Sequence, residues 1–113
     1  TIGVEDVVEA GVLALEAGAS GLLVTDGANT SMLFSGEECF RIEPVRVEPV
    51  NPVGSGDAVT AGMVVALQRG GSLEEAVRLG MACGASNAAQ VACGVIDLEQ
   101  VAVLKEQVTL ERV

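Results

Sequence analysis

A chain of 113 residues is long enough for one domain at most, and because half of its residues are hydrophobic, much of its length should be buried. Sixteen acidic residues against six basic ones give a net charge of −10, which, with only two aromatic residues, argues against nucleic acid as a partner. No uninterrupted apolar run reaches the roughly 18 residues that a membrane helix needs, so we expect no membrane span.

The three cysteines predict free thiols rather than a metal site or a disulfide framework. They are odd in number and widely spaced, no CxxC pair is present, and the chain has no histidine, so a structural zinc site is not expected. Small buried thiols are typical of a reducing compartment, and we therefore expect a cytoplasmic protein. The residues concerned are Cys39, Cys83 and Cys93.

The first half of the chain predicts one helix followed by strands. Residues 4–17 place apolar side chains near one face and glutamates largely off it, which is typical of an amphipathic helix that ends at Gly18. Residues 21–27 form a continuous apolar run before a turn, which favours a strand buried on both faces of a parallel sheet. Residues 32–48 predict a hairpin that leads into an extended, proline-containing stretch.

The second half predicts three helices, and the whole pattern therefore indicates an α/β fold. Ser72 followed by Glu75 has the spacing of a capping box, and Asp97 is a suitable N-cap for the last helix. Small residues dominate the middle helix and would let another backbone or a ligand approach closely. The predicted helices span residues 57–69, 72–92 and 97–108.

The segment NPVGSGDAVTAG, residues 51–62, is the strongest candidate for a functional site. If a helix begins near Gly56, its first amide groups have no partner inside the helix and can hold an anion. Gly54 and Gly56 carry no side chain that would block the approach, and Ser55 adds a hydroxyl. Asp57 lies in the first helical turn, where a carboxylate stays ionised and can accept a proton.

The same glycine-rich segment is also compatible with a flexible turn followed by an acidic residue at a helix start, an arrangement that needs no ligand. Two familiar phosphate-binding motifs are excluded by spacing. A Walker A loop is excluded because Lys105 is the only lysine of the chain. A dinucleotide fingerprint is excluded because Val59 stands where its third glycine would lie.

Residues 51–64, NPVGSGDAVTAGMV, resemble the second signature of the PfkB or ribokinase-like carbohydrate kinases. The motif NPVGSGD is most similar to the phosphosugar branch of tagatose-6-phosphate kinases and 1-phosphofructokinases. The resemblance continues through LLVTDGANTSML upstream and SLEEAVRLGMACGASNAAQ downstream. It implies the C-terminal part of a ribokinase-like three-layer α/β/α fold with a partly parallel sheet.

The resemblance also implies an activity, which is transfer of the ATP γ-phosphate to a hydroxyl of a phosphosugar of the tagatose-6-phosphate or fructose-1-phosphate type. Asp57 matches the catalytic base of the family. The anion hole that holds the transferring phosphoryl group matches Gly54, Ser55 and Gly56. ATP and Mg²⁺ are the implied cofactors, and K⁺ is a further cation that some members bind.

Contacts outside the glycine turn are implied by position in the family. Carbonyls that bind the monovalent cation in some members match Asn51 and Val53. A turn glycine and a helix asparagine can also be accounted for without any ligand, so this alternative stays open for Thr25, Gly27 and Asn87. The residues that match nucleotide-contacting positions are Thr25, Gly27, Ala85 and Asn87.

The resemblance maps residues 1–113 onto roughly the last third of a family member. We therefore expect the nucleotide-binding portion of a carbohydrate kinase domain, without the sugar-binding part and its lid, and inactive by itself. A homodimer of the full-length form is compatible with the family. Two alternatives stay open, namely a kinase of an unphosphorylated sugar or nucleoside and a non-catalytic nucleotide-binding module.

Overall fold

The structure, a computed structural model, describes residues 4–113, apart from the side chains of residues 4 and 7. The chain divides into two compact units. One unit extends to Glu43 and includes Leu110–Val113, and the other consists of Pro44–Thr109.

The first unit contains helix α1 (Val4–Glu16) and strands β1 (Leu22–Val24), β2 (Ser31–Ser35) and β3 (Glu38–Glu43). The chain returns to it through β4 (Thr109–Arg112), and the strand order in the sheet is β1-β2-β3-β4. The hairpin of β2 and β3 was predicted and is confirmed, with Leu33 opposite Phe40 in antiparallel register. Its turn needs Gly36, because the backbone there has a φ of 59°.

The direction and burial predicted for the strand at residues 21–27 were wrong. β1 is only three residues long and half-buried, and it pairs antiparallel with β2, with Leu23 opposite Leu33. A short apolar run indicates a strand but contains no information about the direction of its partner. The turn at residues 25–30 brings the chain straight back, which makes the adjacent strand the partner. Strand β4 was not predicted at all.

The second unit is built from three helices, α2 (Ser55–Gln68), α3 (Leu73–Ala88) and α4 (Leu98–Gln107). The predicted capping box is confirmed, since the Ser72 hydroxyl accepts from the Glu75 amide at 3.1 Å while the Glu75 carboxylate accepts from the Ser72 amide at 3.3 Å. Asp97 caps α4 by accepting from the amides of Glu99 and Gln100. Helix α3 ends four residues before the predicted end at residue 92, and an irregular segment connects it to α4.

Helices α2 and α3 approach each other closely because glycine lies on both sides of the contact. A β-carbon built on Gly80 would lie 2.7 Å from the Val59 carbonyl oxygen, and one built on Gly62 would lie 2.9 Å from the Gly80 α-carbon. A β-carbon on Gly84 would lie 3.2 Å from the Ser55 carbonyl oxygen, next to the start of α2. The small residues of α3 therefore admit another backbone, which is one of the two roles that the sequence predicted for them.

The core of the second unit lies where α3 meets α4. Cys83, Val101 and Leu104 are buried there with Ala82, and half-buried Ile96 packs against them. The guanidinium of Arg78 donates to the carbonyl of Val108, which ties α3 to the end of α4. Among the described residues, no helix is long and apolar enough to cross a membrane.

We expect Gly80→Ala to lower the free energy of unfolding by about 1–3 kcal/mol, because the added methyl would collide with the Met63 side chain, which can move, and also with the Val59 carbonyl, which is backbone of the packed helix and cannot move aside. Urea or thermal unfolding measures this change. Gly56→Ala is the matched control, since a β-carbon there meets nothing within 4 Å. Equal unfolding free energies for Gly80→Ala and the wild type would contradict the close helix contact.

Candidate functional site

The glycine turn leads directly into α2. The Ser55 amide donates to the Pro52 carbonyl at 3.1 Å, and the Ala58 amide donates to the Gly54 carbonyl at 3.0 Å as the first bond of the helix. Gly54 is the N-cap and has a φ of 84°, a left-handed conformation in which any side chain would be strained. The turn is therefore fixed by its own backbone bonds and depends on glycine at position 54.

The first turn of α2 presents amide groups to its surroundings. Within the described part of the chain, the amides of Gly56 and Asp57 have no hydrogen-bond acceptor. The space beside Gly56 is open, and the Asp57 side chain is exposed. Two unpaired N–H groups at a helix N-terminus, where the helix dipole is positive, can bind a negatively charged group.

Ser55 differs from the other predicted members of the anion hole. Its amide is already bound to Pro52, so it cannot serve an anion without breaking that bond. Its hydroxyl accepts from the side-chain amide of Asn87 at 3.2 Å and keeps its own proton available for donation. Asp57 adds an amide that the sequence-based prediction did not include.

Asparagine side chains fasten the turn to the segment after α3. Asn87 is fully buried, and its Nδ2 also donates to the Val53 carbonyl at 2.9 Å, while its Oδ1 accepts from the Gly94 amide at 2.7 Å. Asn51 donates from Nδ2 to the Val91 carbonyl at 3.0 Å, and its Oδ1 accepts from the Val53 amide at 3.1 Å. The two asparagines therefore connect the residues around Gly54 to the end of α3 and the segment that follows it.

A cavity of about 560 Å³ lies beside the turn, within the second unit. Gly54 and Asp57 form one part of its wall, and apolar side chains of α2, α3, α4 and the connecting segment form most of the rest. Such a volume is typical of a site for a small organic molecule. Its other lining residues are Ala58, Ala61, Gly62, Val65, Arg69, Leu79, Cys83, Cys93, Gly94, Ile96, Leu98 and Val101.

The cavity residues of the segment between α3 and α4 were missed by sequence reasoning. Cys93, Gly94 and Ile96 lie in it, and the sequence pattern had placed the first of them just beyond a helix ending at residue 92. Gly94, with a φ of 77°, was the available signal, since a glycine between two helical segments often marks a sharp turn of the chain. Nothing in the sequence pattern indicated that this turn lies beside Gly54.

The remaining predicted contacts lie in different places. Thr25 and Gly27 are exposed at the end of β1 in the first unit, where Gly27 has a φ of 55°. The structure does not bring these two residues together with Asp57 in one compact unit. Ala85 is half-buried and packs against the core between α3 and α4. The nucleotide contacts of these residues stay predictions.

The described residues contain no cluster of three or more histidine, cysteine, aspartate or glutamate side chains that could hold a metal ion. The predicted monovalent cation would have to be bound by carbonyl oxygens. The Val53 carbonyl already accepts from Asn87, and its second lone pair remains for another partner. Asp57 is the carboxylate of the cavity wall and the group there that suits Mg²⁺.

Comparison with solved structures shows the fold. The structure of Escherichia coli phosphofructokinase-2 in complex with potassium matches 94% of this chain and 35% of its own chain, with a TM-score of 0.85 and 24% sequence identity. The chain thus has an α/β structure that corresponds to part of the ribokinase-like kinase fold. Residues 3–100 match the pfkB family carbohydrate kinases, and the chain belongs to this family.

Curated relatives that match the chain include two 1-phosphofructokinases. The 1-phosphofructokinase of Bacillus subtilis strain 168 is 34% identical over 85 residues, which are 75% of this chain and 28% of that protein. The 1-phosphofructokinase of Escherichia coli K12 is 28% identical over 107 residues, covering 95% of this chain and 34% of that protein. The chain spans about a third of the length of these curated relatives, and the resemblance inferred from the glycine turn is confirmed.

The three thiols should differ in their reactivity under native conditions. Cys93 is exposed at the cavity, whereas Cys83 is buried, and burial raises the pKa of the Cys83 and Cys39 thiols. A raised pKa lowers the fraction of reactive thiolate below that pKa, so we expect iodoacetamide at about pH 8 to modify Cys93 first. Peptide mass spectrometry over time measures the order.

Urea-unfolded protein is the control for this experiment, because unfolding exposes all three thiols and should make their rates similar. Faster modification of Cys83 than of Cys93 in the folded protein would contradict the described burial.

Proposed function

We propose that the chain is the phosphoryl- and nucleotide-binding part of an ATP-dependent kinase that phosphorylates a hydroxyl of a phosphosugar of the fructose-1-phosphate or tagatose-6-phosphate type. The single observation that supports this most strongly is the start of α2, where the unpaired amides of Gly56 and Asp57 lie beside an exposed carboxylate. Membership of the pfkB family supports the reaction class, and similarity to two 1-phosphofructokinases supports a phosphosugar as the acceptor.

The proposed reaction needs few groups from the protein. The sugar hydroxyl oxygen forms a bond to the γ-phosphorus of ATP, its proton passes to the Asp57 carboxylate, and the bond to the β,γ-bridging oxygen breaks to release ADP. Charge on the transferring phosphoryl oxygens is stabilised by the amides of Gly56 and Asp57, and the Ser55 hydroxyl can donate as well. Because Gly54 has no side chain, the phosphoryl group can approach these amides without obstruction.

Nucleotide binding is the second part of the proposal. The apolar cavity beside Gly54 suits a flat, weakly polar ring system such as a purine base. Thr25, Gly27 and Ala85 remain candidates for further contacts. With six basic residues against sixteen acidic ones, this chain does not neutralise the triphosphate by itself, so Mg²⁺ carries that role, supplemented by K⁺ if the Asn51 and Val53 carbonyls bind it.

The decisive substitution is Asp57→Asn in the intact protein that carries this chain. We expect kcat to fall by about 10²–10⁴-fold while ATP affinity stays close to that of the wild type, because the amide keeps the shape of the side chain but cannot accept the proton. Coupled ADP release measures turnover, and calorimetric titration measures ATP binding. Glu74→Gln, which neutralises a carboxylate in the first turn of the neighbouring helix α3, is the matched control.

The substrates offered in this assay separate the competing functions. Turnover with fructose 1-phosphate or tagatose 6-phosphate supports the proposal, whereas turnover only with fructose, ribose or adenosine supports a kinase of unphosphorylated acceptors. ATP binding without turnover of any acceptor supports a non-catalytic module. Full activity of Asp57→Asn would eliminate Asp57 as the base.

A further inference from the structure

We propose that Asn87 is a positioning residue, whose side chain fixes the glycine turn so that the amides of Gly56 and Asp57 face the transferring phosphoryl group. This inference rests on the proposed function for its catalytic consequence. Its structural part, that Asn87 holds the turn, does not depend on the identity of the substrate.

The contacts of Asn87 account for the whole polar part of its side chain. Both N–H groups of its amide have an acceptor, one in the Val53 carbonyl at 2.9 Å and one in the Ser55 hydroxyl at 3.2 Å. Its oxygen accepts from the Gly94 amide at 2.7 Å. Because Asn87 is 0% exposed and its donors are both used, the protein itself satisfies the group, as buried polar groups require.

These contacts lie on both sides of Gly54, the residue in the left-handed conformation. Val53 precedes Gly54 and Ser55 follows it, so one buried amide holds the residues that flank the left-handed N-cap. The amides of Gly56 and Asp57 come next in the chain, inside the first turn of a regular helix. Holding Val53 and Ser55 therefore sets the direction of the N–H groups that bind the anion, in the way that a supporting residue orients a site.

Asn87 also connects the turn to the wall of the cavity. Gly94, the residue that donates to its oxygen, lines the cavity together with Gly54. A β-carbon built on Gly54 would lie 3.8 Å from the Asn87 Nδ2 and 3.5 Å from the Cys93 β-carbon, so the three segments meet at one place. A single side chain thus holds both the glycine turn and part of the adjoining cavity wall.

The neighbouring residue Ser86 provides a matched control within the same helix. Ser86 is also 0% exposed, but its hydroxyl donates to the Gln100 carboxamide at 2.8 Å and accepts from the Asp97 amide at 2.9 Å. Its bonds therefore stabilise the contact of α3 with α4 and do not reach the glycine turn. Removing either side chain leaves buried polar groups unpaired, and both substitutions should lower the melting temperature.

The test compares Asn87→Ala, Asn87→Asp and Ser86→Ala in the intact protein by hydrogen exchange of the Ser55 and Ala58 amides, which are hydrogen-bonded to the carbonyls of Pro52 and Gly54. Asn87→Asp retains the side-chain volume and the acceptor for Gly94 but loses both donors, and it serves if Asn87→Ala fails to fold. We expect exchange to accelerate about tenfold or more in both Asn87 variants, because the turn opens more often, and to change little in Ser86→Ala.

Kinetics supplies the second measurement. We expect kcat to fall about tenfold or more in the Asn87 variants, with a smaller change in the KM for the sugar. The reason is that the displaced amides act mainly on the transition state. Complete loss of one such donor commonly lowers the rate by about 10²–10³-fold. Ser86→Ala should keep its kcat within about threefold at a similar loss of melting temperature.

The outcomes distinguish this inference from the proposed function. Unchanged exchange of the Ser55 and Ala58 amides in the Asn87 variants, or a loss of kcat no greater than that of Ser86→Ala, would overturn the positioning role. If the wild-type protein phosphorylates no acceptor, the proposed function fails, and the exchange comparison still decides whether Asn87 holds the turn.

Discussion

The close backbone contact between α2 and α3 is the constraint on which the site depends. Gly80 and Gly84 of α3 leave room for the Val59 and Ser55 carbonyls of α2, which no residue with a β-carbon would do without displacement. At this short separation, Asn87 lies only three residues beyond Gly84 and can reach the turn that precedes α2. Helix packing and the geometry of the turn are therefore parts of one arrangement.

The same arrangement lets a chain with a charge of −10 offer a candidate site for phosphate. Attraction comes from main-chain N–H groups and from the positive end of a helix dipole, and neither needs lysine or arginine. The acidic residue at the site is compatible with these donors because Asp57 lies in the first turn of α2, where the dipole stabilises its negative charge. Overall charge is therefore a poor guide to which small anions this chain can bind.

Local features of the chain could be predicted from its sequence, and non-local ones could not. Ser72 and Glu75 form their capping box within four residues, and Asp97 caps α4 through the next three residues, so sequence spacing was sufficient. The direction of β1 depended on which strand lies beside it, and β4 depended on a return to β3 from more than sixty residues away. The pattern of apolar residues along the chain does not indicate which strand lies beside β1 or that β4 pairs with β3.

In the candidate site, too, the local features could be predicted from the sequence and the non-local ones could not. Gly54 and Asp57 were recognisable because the turn, the helix start and the carboxylate are consecutive in the chain. Asn87 was recognised by family position as a residue near the nucleotide, but its bonds to Val53 and Ser55 join residues more than thirty positions apart. The cavity wall at Cys93 and Ile96 was missed for the same reason, since it follows from how an irregular segment folds back.

Helices α2 and α3 are consecutive, and the connection between them is short, turning at Gly70 with a φ of 83° before the capped start of α3. Contacts within such an antiparallel helix pair close small loops, which form faster than pairings between distant strands. The candidate anion-binding turn and the helices that hold it are thus encoded in one contiguous stretch of chain.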